Sequence, residues 1–136
     1  MNHWLIKSEP FVYSWSQLEK DKKVMWDGVR NYGARNNLMA MKKGDLAYFY
    51  HSNEGLEIVG IASVKKEYYT DPTATEGNWV VVDFEPFQKL KKPISLSQIK
   101  GDKKLAGMDL LRLSRLSVQS VKKEEFDYIL QLSESK

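Results

Sequence analysis

Apolar and polar residues alternate at the start of the chain. Trp4 and Ile6 fall on one side of an extended segment, which predicts a strand over 3–8. Pro10 then holds Glu9 extended, so Glu9 is expected to project at the strand end. Ser14 followed three residues later by Gln17 has the form of a capping box and opens a short helix through residue 20. Residues 24–26 form a brief extended piece. After the turn pair Asp27-Gly28, the positions of Val29, Tyr32, Leu38 and Met41 recur at roughly helical spacing, interrupted at Gly33, and predict a helix over 29–41.

Lys43-Gly44-Asp45 reads as a turn into a strand over 46–51 that is apolar enough to be covered on both faces. Asn53-Glu54-Gly55 turns the chain back into a second long strand over 57–67, where Gly60 marks a bulge or a close approach. This hairpin is expected at the centre of the sheet. A loop over 68–77 precedes a third strand over 78–85 with Trp79, Val81 and Phe84. Ser95 repeats the Ser-x-x-Gln cap, and 100–108 is a basic loop. A last strand over 116–121 leads to a closing helix over 122–132, with Glu124 and Glu125 in its first turn and Phe126, Ile129 and Leu130 turned inward. Ser133 to Lys136 reads as a frayed tail. Roughly five strands with helices between them, in no regular βαβ rhythm, argue for a mixed α+β domain around a curled sheet or small barrel.

At 136 residues the chain is read as one domain spanning 1–136, large enough to bury a core. The absence of cysteine excludes disulfides, thiol nucleophiles and cysteine-metal sites. With His3 and His51 as the only imidazoles, no metal and no cofactor is expected. No apolar run approaches the ~20 residues of a membrane span and no secretory core opens the sequence, so a cytoplasmic location, with nucleoid association open, is expected. A net charge of +3 gives nucleic-acid contact only slight support, because the lysines are scattered in pairs. The aromatic share, 12% and heavy in Trp and Tyr, is more suggestive, since those rings combine a flat face with a polar handle.

The densest candidate chemistry lies between Met25 and Asn36. Trp26 stands before a turn, followed by Arg30, Asn31, Arg35 and Asn36, which joins a flat apolar plate to several planar hydrogen-bonding groups. Asn31 and Arg35 are four apart and share a helix face that a phosphate could follow; the plainer reading is a solvated face. Lys7-Ser8-Glu9 at a strand end is either a surface ion pair or an edge reader, the carboxylate accepting from an exocyclic amine while a hydroxyl or backbone N–H donates to the adjacent ring nitrogen. Trp4 and Trp15 are better read as core. His51 and Ser52 do not make a hydrolytic dyad, because neighbours on a strand point to opposite faces.

Five ordered stretches, Trp4-Leu5-Ile6-Lys7-Ser8-Glu9-Pro10, Trp26-Asp27-Gly28-Val29-Arg30-Asn31, Phe49-Tyr50-His51-Ser52-Asn53, Val59-Gly60-Ile61-Ala62 and Arg115-Leu116-Ser117-Val118, together resemble the EVE domain family. The resemblance runs from Trp4 to Leu130 and departs at Gly33, where relatives are expected to carry a longer polar residue. It implies a PUA-like fold, a small mixed β-barrel flanked by helices, and a cage for one modified base; EVE domains are similar in turn to YTH domains, readers of methylated adenine in RNA. Carried onto this sequence, it implies a binding site of Lys7, Ser8, Glu9, Trp26, Arg30, Asn31, Arg35, Tyr50, His51 and Ser52, with Asp71 and Pro72 in the loop region that closes the cage in related readers. The expected function is a non-enzymatic, monomeric reader of nucleic acid, holding a 5-substituted cytosine in DNA or a modified base in RNA. Two alternatives stay open. One is an amidohydrolase of the ASCH type, also PUA-like, which would need a threonine beside Lys7 and Glu9; the other is a module whose aromatic groove takes a peptide.

Overall fold

A computed structural model describes residues 1–135, and in it the alternation at the start of the chain becomes β1 (His3–Ser8). Trp4 and Ile6 pack into one core and Leu5 into a second on the opposite side of the sheet. The same division runs along β3 (Leu46–His51), where Ala47 and Phe49 face the first core and Tyr48 and Tyr50 the second. Both faces of this strand are covered, as its unbroken apolar character requires.

β4 (Glu57–Thr70) pairs antiparallel with β3, and the two lie at the centre of a six-stranded sheet. The remaining strands are β2 (Val24–Met25), β5 (Val80–Ser95) and β6 (Val118–Val121), giving the order β2-β5-β4-β3-β1-β6. Of the neighbouring pairs, only β1 with β3 is parallel. Among the described residues no ladder joins β2 to β6, so the sheet is open and curled, and the expected closed barrel is corrected to a six-stranded sheet with helices on both sides. Its curl comes from register shifts along β4 and β5, one of them at Gly60. The indole of Trp15 lies against Gly60 so closely that a Cβ there would stand 2.7 Å from the ring, which explains why only glycine fits.

Two helices cover the first core: α1 (Trp15–Asp21), capped by the Ser14 hydroxyl on the Gln17 N–H, and α2 (Tyr32–Ala40). The second core lies under α3 (Leu96–Lys100), a 3-10 turn at Lys103–Leu105, α4 (Asp109–Arg112) and α5 (Lys123–Glu134). Leu105, Met108 and Leu110 are buried there, so the stretch read as a basic loop is anchored by its apolar residues. Ser133, assigned above to a frayed tail, ends buried inside α5 with its hydroxyl donating to the Leu130 carbonyl at 2.8 Å. Lys136 of that tail lies outside the described residues.

Candidate functional site

Three segments converge on a cavity of about 570 Å³. The end of β1 supplies Lys7, Ser8 and Glu9, the turn after it Val12 and Tyr13, and the run from β2 to the start of α2 every residue from Val24 to Arg30, with Ser117 completing the lining. β2 is one edge of the sheet and β1 lies next to the other, so they meet across a cavity because the sheet curls.

Trp26 forms the aromatic wall and belongs to the core as well. Its backbone N–H donates to the Val82 carbonyl at 2.9 Å, and its ring packs edge-to-face on Tyr13, Phe49 and Phe84 with centroids 6.4, 5.7 and 5.8 Å away. Only 9% of the residue is exposed, so its orientation is fixed by packing before any ligand arrives. Pocket wall and core, which the sequence offers as alternatives, are the same residue here.

The turn beside Trp26 is held from behind. Gly28 adopts a left-handed φ of 77°, and its N–H donates to the buried carboxylate of Asp71 at 3.0 Å. Asp71 also accepts from Arg30 Nη1 at 3.0 Å and from the Thr73 N–H and hydroxyl at 2.7 and 2.6 Å. Burial alone would push its pKa up; these donors outweigh it and hold the carboxyl down at about 2. Asp71 and Pro72 therefore do not line the cavity as a cage-closing loop would: Asp71 braces its floor, and Pro72 is exposed outside it.

On the β1 side, Lys7 is half-buried, and its ammonium donates to the Ser114 carbonyl at 2.6 Å. Burial lowers its pKa, and no carboxylate lies within ion-pair distance among the described residues. The Ser8 hydroxyl donates to the Tyr13 carbonyl at 2.6 Å, so its proton serves the fold. Glu9 accepts from Asn53 Nδ2 through Oε1, and its second oxygen has no partner among the described residues.

Arg30 links the cavity to an exposed aromatic plate. Tyr32 and Trp79 stack with centroids 5.2 Å apart, Arg30 lies over Trp79 at 5.6 Å, and Arg35 lies over Tyr32 and Trp79 at 4.9 and 5.7 Å. Arg35 donates to the Asn78 carbonyl and Asn36, which places it on the plate, outside the cavity. Asn31 is the N-cap of α2, its Oδ1 accepting from the Ala34 N–H at 2.9 Å, and that acceptor is spent on the helix. The expected helix over 29–41 thus begins at Tyr32, and the shared Asn31–Arg35 face is lost.

The third implied group lies elsewhere. Tyr50 is in the second core, on the far side of the sheet, with its hydroxyl pKa pushed up by burial. His51 accepts from the Trp15 N–H at 3.2 Å and so stabilises the start of α1; burial lowers its pKa, keeping it neutral. The Ser52 N–H donates to the Ser8 carbonyl at 2.9 Å, tying β3 to the end of β1. These residues support the cavity without lining it. Val12 and Tyr13 are lining residues not singled out from the sequence, where the apolar run Phe11-Val12-Tyr13 between Pro10 and the Ser14 cap, with no helical or strand period, was the available signal; Asp27 and Ser117 lie in the stretches that carry the family resemblance but outside the implied binding site.

Comparison with known proteins places this geometry in a family. Thymocyte nuclear protein 1 of Rattus norvegicus is 38% identical over 98% of this chain and 74% of its own length; its Homo sapiens counterpart is 36% identical over the same shares. Among solved structures, a protein from Agrobacterium tumefaciens superposes with a TM-score of 0.96 at 43% identity, covering 98% of this chain and 94% of its own. Human THYN1 protein, crystallised in complex with 5-methylcytosine-containing DNA, superposes with a TM-score of 0.93 at 35% identity, covering 100% of this chain and 99% of its own. ASCH from Zymomonas mobilis shares the fold alone, with a TM-score of 0.62 at 14% identity over 96% of this chain and 95% of its own. The sequence model of the EVE domain matches residues 2–132, and with the Lys7-Ser8-Glu9 and Trp26–Arg30 segments meeting at one cavity, this chain belongs to the EVE domain family.

Proposed function

We propose that the protein reads DNA carrying a 5-substituted cytosine, with that base turned out of its strand into the cavity beside Trp26. The observation that carries the reading is a cavity of about 570 Å³ whose lining joins the aromatic wall of Trp26 to the charged side chains of Lys7, Glu9 and Asp27. Sites for small flat molecules commonly measure roughly 300–1,000 Å³. The likeness to a THYN1 protein bound to 5-methylcytosine-containing DNA supports the choice of ligand.

Cytosine presents an amine donor beside a ring acceptor. The unpartnered oxygen of Glu9, or the carboxylate of Asp27, takes the amine, and the Lys7 ammonium donates to the ring acceptor. A small substituent at C5 fills apolar space near Trp26, Val24 and Met25 and contributes ~0.8 kcal/mol per methylene-sized group, a discrimination of only a few-fold. Arg30 in the cavity lining, with Arg35 and the Tyr32–Trp79 plate beyond it, receives phosphates and a flanking base.

An ASCH-type hydrolysis of an acylated cytidine is favoured by one fact, the presence of Lys7 and Glu9 in the same cavity. It stands second, because no threonine lines the cavity among the described residues. Titration of matched oligonucleotides carrying cytosine, 5-methylcytosine, 5-hydroxymethylcytosine or N6-methyladenine tests the reading. The 5-substituted cytosines should bind tightest, and Glu9→Gln should chiefly blur the choice among bases. Equal affinity for all four would overturn it.

A further inference from the structure

The turn after β1 carries two apolar side chains that nothing in the fold uses. Phe11 and Val12 are each 70% exposed, whereas the neighbouring aromatics Tyr13 and Trp15 turn inward. Single exposed apolar residues are ordinary on a protein surface. These two differ in being adjacent, on a turn whose backbone is tied down, and in that Val12 lines the cavity. Pro10 occupies the second position of a tight turn and fixes its φ; the Glu9 carbonyl accepts from both the Val12 and Tyr13 N–H groups at 2.9 Å, and the Ser8 hydroxyl ties down the Tyr13 carbonyl at 2.6 Å. Val12 is itself part of the cavity lining, as is Arg30.

We infer that Phe11, backed by Val12, is a wedge that enters the base stack of duplex DNA at the gap left when a base moves into the cavity. The inference rests on the proposed reading of that cavity. Removing a base from a duplex costs its stacking and pairing, and an apolar side chain inserted between base steps restores part of the lost contact. The side chain doing so must stand beside the pocket on a turn that is already ordered, since a mobile turn would lose ordering entropy on insertion. Phe11 is next in sequence to the cavity-lining Val12, on a turn whose backbone the hydrogen bonds of Ser8 and Glu9 hold. A single strand has no such gap, so the wedge acts on duplexes and leaves single-strand recognition to the cavity.

The test compares wild-type protein, Phe11→Ala and Phe11→Leu on one 5-methylcytosine-containing oligonucleotide, single-stranded and in duplex, with 2-aminopurine next to the modified base to report unstacking. Phe11→Ala should lose about tenfold in duplex affinity together with the fluorescence change. On the single strand it should stay within about twofold of wild type, and its melting temperature should hardly move, because the side chain is 70% exposed. Phe11→Leu, still an apolar wedge, should keep most of the duplex affinity. An unchanged duplex affinity for Phe11→Ala, or an equal loss on both substrates, overturns the wedge alone. Wild-type protein that shows no preference for the modified single strand over the unmodified one overturns the cavity reading and the wedge with it.

Discussion

The buried carboxylate of Asp71 accepts a hydrogen bond from the backbone N–H of Gly28 at 3.0 Å, across 43 residues of sequence. This contact fixes the turn that follows Trp26 and so sets one wall of the cavity. It also makes the cavity sensitive to the charge on one side chain.

Asp71→Asn should therefore cost about 2 kcal/mol of stability at pH 7, the equivalent of a carboxyl held near pKa 2 against an ordinary value of 3.8. Because the folded pKa is depressed, this stability is fully present above the unfolded value and is lost as pH falls from about 3.8 toward about 2. Urea denaturation followed across that range should show the wild-type advantage over Asp71→Asn shrinking to nothing. A constant difference would mean that the carboxylate charge is not what holds the turn.

Lys7 and Arg35 should separate two kinds of contact. Burial depresses the Lys7 pKa, so its proton opposes folding at neutral pH, and Lys7→Met should leave the melting temperature unchanged or raised. If Lys7 meets the base, the same variant should lose ~1–3 kcal/mol of binding with no change in salt dependence. Arg35→Ala, which removes a charge from the exposed plate, should flatten the slope of log affinity against log salt by about one unit. Titrations at several salt concentrations would distinguish them, and a flattened slope for Lys7→Met would move Lys7 to the phosphates.

His51 gives a second pH effect with its own window. Its Nε2 accepts from the Trp15 N–H, which only the neutral ring can do, and burial lowers its pKa below the ordinary 6.5. The unfolded chain therefore binds this proton first, so stability declines as pH drops below about 6.5 and levels off beneath the folded pKa. A ring proton placed at the start of α1 would in addition face the positive end of the helix. His51→Gln should remove this step from the pH–stability curve. A step of equal size in the variant would assign it to another group.

Local signals found most of the frame. The Ser14 and Ser95 caps, the central β3–β4 hairpin and the first turn of α5 depend on neighbours in sequence and fold as read; the close approach at Gly60 was legible from the glycine alone, though its partner, Trp15, is remote in sequence. The departures from the sequence pattern are tertiary in origin. β5 runs on past Pro86 and Pro93 to Ser95, although proline ordinarily ends a strand. β2 pairs only with Asp83 and Phe84, so beyond them the outer side of β5 is a free edge and a proline there removes no ladder bond. Trp79 likewise fits a strand pattern, but β5 begins one residue later and its ring stacks on Tyr32. At the site, the residue types at Lys7, Glu9, Trp26 and Arg30 were readable, whereas the roles of Ser8, Asn31 and Asp71 depended on hydrogen-bond partners remote or local that no spacing reveals.

The claim at the centre of this account is that the modified base enters the cavity and does not rest on the Tyr32–Trp79 plate. Because Trp26 is core as well as wall, Trp26→Ala would cost about 3–5 kcal/mol of folding stability and confuse the two effects. Photo-crosslinking avoids this: a DNA duplex with 5-iodocytosine in place of the modified cytosine is irradiated on wild-type protein, and the adduct is located by peptide mass spectrometry. Adducts are expected on Trp26 or Tyr13, suppressed by excess 5-methylcytosine duplex. Adducts confined to Tyr32 or Trp79 would contradict it.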